Sequence, residues 1–201
     1  ETRPPVAEEQ AAKTPTDSPA LSLSFLSEDE QVALQSLKQK FDAGIRPGFE
    51  QRPLSYAYEQ HALRLSLDLL NEETSAQVFP YNGAFTLEQN KEQAQQLSFL
   101  SYYCGFQLSD GQSIVNYFCL KSSSDFMDYL AELGRTNEII NRVQEGYRSK
   151  KQFDPAIRQM VLLEASEGLD FENPGHQLFY FMYHSMINEE YQANLKAQGL
   201  M

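Results

Sequence analysis

Basic residues are scarce in this chain: 16 Lys and Arg stand against 28 Asp and Glu, for a net charge of −12. Sequence-independent binding to DNA or RNA needs Lys and Arg to neutralise several phosphates, so nucleic acid is excluded as a partner class. No apolar run approaches the ~20 residues that a membrane helix requires, and no transmembrane segment is expected. Tryptophan is absent, and with it the Trp-Leu-Gly positions of a tetratricopeptide repeat; no other fixed period emerges. The P-loop, GxGxxG, GxSxG, HExxH and EF-hand patterns are missing too. Their absence points away from an enzyme and implies no cofactor.

Cysteine is nearly absent as well. Cys104 and Cys119 are the only two, and they sit among Tyr102, Tyr103, Phe106, Tyr117 and Phe118. Their spacing has no CxxC and no flanking histidine, so it matches no zinc pattern. The nearest histidine, His61, is too distant in sequence to mark either thiol as an activated nucleophile. Read as two helices joined by Gly105 to Leu108, the segment places Cys104 at the turn and Cys119 roughly 13 Å along the second helix. A disulfide wants Cα atoms within about 7 Å. The expectation is therefore two reduced, buried thiols acting as small apolar residues; a disulfide, which an exported protein would support, is the alternative.

What is present starts with an unusual front. The first twenty residues, "ETRPPVAEEQAAKTPTDSPA", hold four prolines and no aromatic. Residues 1–24 read as a flexible tether and residues 25–201 as a single helical domain. The chain begins at Glu1, which suits removal of a leader, and the tether's composition suits a surface lipoprotein anchored upstream of Glu1. The localisation expected is extracytoplasmic, in a periplasm or at a cell surface.

Helix punctuation recurs from Leu21 onward. Ser27 to Glu30 forms a capping box, followed by Leu34, Leu37 and Phe41 at helical spacing. Pro53 suits a first helical position and opens a segment to about Asn71. Asn82-Gly83 is a turn signal. Thr86 with Gln89 reads as another capping box, opening a helix through Leu97, Leu100 and Cys104. Ser109 starts the next, with Val115, Phe118 and Cys119; Ser124 and Thr136 start two more. Asp154-Pro155 and Asn173-Pro174 are cap-plus-proline starts of the last two helices. The fold class expected is all-α, an irregular orthogonal bundle of about eight helices.

Candidate chemistry is sparse. Glu164 and Glu167 share one face in the last turns of the helix opened at Pro155, where the helix dipole disfavours negative charge. Places that break a local rule are enriched in function, so these two are the catalytic candidates, as acid and base. The run "LFYFMY" from Leu178 offers Phe179, Tyr180, Tyr183 and His184 as ligand-binding candidates, although an all-round apolar turn also marks a central buried helix. His176 and His184 are eight residues apart, a rise of roughly 12 Å, so they cannot share one metal ion, and no metal site is expected.

The function expected is a non-enzymatic extracytoplasmic binding or assembly module with a protein partner. Net charge favours a basic partner, which includes a basic toxin neutralised by an inhibitor or immunity protein. The alternatives are a carboxylate-dependent hydrolase acting on a polar substrate such as a saccharide, and a small-ligand carrier.

Overall fold

The computed structural model describes residues 23–70, 85–108, 111, 114–150 and 155–199. The tether expected over residues 1–24 lies outside them except for its last two positions, as does the turn expected at Asn82-Gly83. The described chain is mostly helical. Helix α1 (Glu28–Ile45) and helix α2 (Leu54–Leu70) come first, followed by a 3-10 turn at Glu88–Asn90 and a short α3 (Lys91–Gln95). Strands β1 (Leu100–Gln107) and β2 (Ile114–Leu120) then form one antiparallel hairpin. Four helices complete the fold: α4 (Asp125–Gly134), α5 (Glu138–Lys150), α6 (Pro155–Gly168) and α7 (Pro174–Ala197).

The helix starts form where short-range chemistry specifies them. Ser27 accepts from the Glu30 N–H while the Glu30 carboxylate accepts from the Ser27 N–H, a complete capping box. The Asn173 side chain accepts from Gly175 N–H, with Pro174 at the first helical position. At α5 the cap is Asn137 rather than the expected Thr136: Asn137 Oδ1 accepts from Ile140 N–H at 3.1 Å, whereas the Thr136 hydroxyl donates back to the Leu133 carbonyl.

Two expectations are overturned between Thr86 and Lys121. The helix expected from Thr86 to Cys104 ends at Gln95 and gives way to β1, and the helix expected after Ser109 is β2. Seven α-helices are found among the described residues instead of about eight, with one two-stranded sheet. The cysteines are correspondingly not free: Cys104 and Cys119 are bonded, with Cα atoms 6.1 Å apart. The spacing Leu97, Leu100, Cys104 fits a helical stripe, but "SYYCGF" and "IVNYFC" are rich in aromatic and β-branched residues that fit a pleated, half-buried surface. Pairing folds the segment back at a pitch that brings the sulfurs level, which a helical hairpin would not.

One continuous core runs through the molecule, and α7 is its axis. Every residue from Leu178 to Glu189 is buried, which explains why this helix is apolar on all sides. Phe41 of α1 packs its ring at a tilt against both Tyr58 of α2 and Phe181 of α7. The hairpin closes another side: Phe118 and Leu120 are buried, and the Tyr147 hydroxyl of α5 donates to the Leu120 carbonyl at 2.7 Å. No helix among the described residues is long and apolar enough to cross a membrane.

Candidate functional site

The start of α5 is tied to the end of α6. Asn137, besides capping its own helix, donates from Nδ2 to the Gly168 carbonyl at 2.7 Å. Gly168 allows this approach because a Cβ there would come within 2.4 Å of Ile139 Cδ1. Above this junction lies an open groove of about 510 Å³ with Ile139, Met160 and Leu163 among its lining residues. Helix α6 turns Val161, Leu162 and Ala165 inward, so Met160, Glu164 and Glu167, one turn apart along the helix, fall on the outer side.

Glu164 and Glu167, singled out by their position near a helix end, therefore sit together in this groove, both exposed. Glu138 of α5 joins them as a third carboxylate, together with Arg142. Arg142 pairs with Glu138, four residues back on its own helix, and its Nη1 lies 3.2 Å from Met160 Sδ across on α6. Arg142 is the only cation lining the groove among the described residues, and it is already neutralised. The groove thus presents carboxylates around a partly apolar floor.

The other four candidates, Phe179, Tyr180, Tyr183 and His184, are all buried on α7. Two small spaces border them, each with about 10 Å³ of room, close to what a single water occupies. Burial raises the Tyr180 and Tyr183 hydroxyls well above the ordinary phenol value. Tyr180 places its hydroxyl 2.8 Å from His61 Nδ1 on α2, and the His61 and His184 rings lie 5.0 Å apart. Burial pushes the His184 imidazole down to about 4 and His61 well below its ordinary range, the latter helped by His184 and Arg64. The third histidine, His176, is separate and accepts from Asp170 N–H at 3.0 Å. No group of three or more His, Cys, Asp or Glu side chains is placed to hold a metal ion among the described residues.

The sequence pointed to the two α6 carboxylates but not to Asn137 or Glu138. The i,i+4 spacing of Glu138 and Arg142 was the available signal for their pairing, but nothing local brings them to α6. The meeting of His61 with His184 likewise has no local signature. No family model, curated protein or solved structure matches the chain.

Proposed function

We propose that this chain is a non-enzymatic binding module working outside the cytoplasm, and that a basic segment of a protein partner lies in the α5–α6 groove. The observation that carries the reading is the meeting of Glu164 and Glu167 in one open groove whose only described cation, Arg142, is already paired with Glu138. A net charge of −12 adds long-range attraction for a basic partner and speeds encounter. The Cys104–Cys119 bond supports the compartment, since structural disulfides persist in oxidising surroundings and are rare in the cytosol.

The probe is a short oligolysine peptide, titrated into the full chain at low and moderate salt and followed by NMR shifts. Shifts confined to α5 and α6, with affinity lowered at least tenfold in the Glu164→Gln/Glu167→Gln variant, are expected. Neutralising two acids near a helix C-terminus relieves dipole repulsion, so that variant remains folded. Peptide binding spread evenly over the acidic surface, unchanged in the variant, sinks the reading. The two α6 carboxylates in one groove also favour a second reading, a hydrolase of a polar substrate such as a saccharide. Release of reducing ends from a polysaccharide panel, lost in Glu164→Gln, would establish it instead.

A further inference from the structure

Of the five methionines in the chain, four fall among the described residues, and three of those are enclosed by the core. Met127 of α4 and Met182 and Met186 of α7 are at most 2% exposed. Met160 of α6 is different: it packs on the core from outside and lines the open α5–α6 groove. Its sulfur is met there by a cation. Arg142 Nη1 donates to Met160 Sδ at 3.2 Å while Nη2 pairs with Glu138, and about half of the Arg142 side chain faces solvent. We propose that Met160 is a site of oxidation by peroxide and that Arg142 holds the resulting sulfoxide oxygen, so that the groove floor turns from apolar to polar without unfolding.

The step needs one reagent from outside, hydrogen peroxide. The Met160 thioether gives an electron pair to one peroxide oxygen, the O–O bond breaks and an S–O bond forms. Sulfur is oxidised by two electrons. The departing hydroxide takes the proton left on the transferred oxygen and leaves as water, and the product is methionine sulfoxide. The usual competitors are missing. Cys104 and Cys119 are bonded to each other, so neither is a thiol that would react first. Tryptophan is absent. Met127, Met182 and Met186 meet peroxide only when the fold opens around them, which happens for a small fraction of the time.

Arg142 is what makes the product tolerable. A thioether is a weak acceptor, so the reduced contact uses little of the guanidinium's capacity. A sulfoxide is polar, and a polar group set against apolar neighbours is costly unless it is hydrogen-bonded. Ile139 and Leu163 line the same groove and cannot donate to it. Arg142 Nη1 already points at the sulfur, and Nη2 stays with Glu138. A charge-assisted hydrogen bond is roughly twice as strong as a neutral one. Met160 and Arg142 are both unbranched, and at an open groove the guanidinium draws back enough to admit the oxygen.

The site uses the walls of the groove and no ligand in it, so it stands whether or not a basic segment binds there. The test treats the folded full chain with hydrogen peroxide and then cleaves it at Glu145 and Glu164, which separates Met160 from every other methionine. Met160 is expected to gain oxygen at least about tenfold faster than Met127, Met182 and Met186. Once Met160 is oxidised, the wild type should keep its urea midpoint, and its Arg142 guanidinium protons should exchange with solvent more slowly than before. In Arg142→Leu, which keeps an apolar stem beside Met160, the same oxidation should lower the midpoint. Equal rates at Met160 and the buried methionines overturn the site. So does a midpoint that oxidation shifts equally in both proteins. So does an Arg142 guanidinium exchange rate unchanged by oxidation, a measurement in the wild type that needs no variant to fold.

Discussion

Cys104 and Cys119 are bonded across an irregularity in the hairpin. Cys119 is paired with Ser101 and Cys104 with Tyr117, and the register shifts between Ser101 and Cys104. A lone two-stranded hairpin is marginal in water. Here the bond holds the two strands together beside α7, while Tyr103 and Ile114 on the outer part of the ribbon stay exposed.

Removing that bond releases a loop whose ends are 15 residues apart in sequence. The chain-entropy estimate for closing such a loop is about 3 kcal/mol. Reduction, or the Cys104→Ala/Cys119→Ala pair, is expected to lower the unfolding free energy by about that much, read from urea midpoints with and without reductant. Far-UV helix content should survive, since the hairpin supplies little of it. Thiol titration of the denatured, unreduced protein should find no free cysteine. Free thiols, or an unchanged midpoint on reduction, would remove both the staple and the support it gives to an oxidising compartment.

How far the residues announced this fold depends on the range over which each feature is decided. Caps at Ser27 and Asn173 use side chains and backbone within a few positions, so they can be read from the sequence alone. The hairpin cannot be read in that way. Leu97, Leu100 and Cys104 satisfy a helical stripe, and Gly105 and Ser109 look like a stop and a start; what selects strands is pairing between segments and packing on α7. The groove divides similarly. Glu164 and Glu167 share a helix face by spacing, whereas Glu138 and Arg142 reach them only through the packing of α5 on α6, which the Asn137–Gly168 hydrogen bond helps to fix. His61 and His184 lie far apart in sequence, and only the core brings them together.

Helices α4 and α5 approach closely at Gly134, and that approach has a definite limit. A Cβ at this position would lie 2.9 Å from Asn141 Cα and 3.0 Å from its backbone nitrogen. Backbone cannot swing aside as a flexible side-chain end can, so the two helices must separate. Ala in place of Gly would ordinarily favour a helix by about 1 kcal/mol; here overpacking outweighs it. Gly134→Ala is expected to destabilise by about 1–3 kcal/mol in thermal or urea unfolding. A neutral or stabilising result would mean that α4 and α5 are not packed at this distance.

Glu30 links the start of α1 to the approach to the hairpin. One carboxylate oxygen accepts from the Ser27 N–H and hydroxyl at 2.9 and 2.8 Å, and the other accepts from the Ser98 N–H at 2.8 Å. Burial alone would raise this carboxyl; hydrogen bonds from Ser98 and Ser27 outweigh it and hold the group down to about 2. Because the folded value lies below the unfolded one, the contribution is full above an ordinary carboxylate pKa, ~4.5, and fades as pH falls towards ~2. Solvent at this half-buried position screens the interaction, so the expected size is about 1 kcal/mol, as for a helix cap. Glu30→Gln should lose that amount near neutral pH, and its unfolding midpoint should approach that of the wild type as pH falls from about 4.5 towards about 2. A deficit that persists undiminished in acid would assign the loss to packing rather than to the ionised carboxylate, and the tie between α1 and Ser98 would not depend on charge.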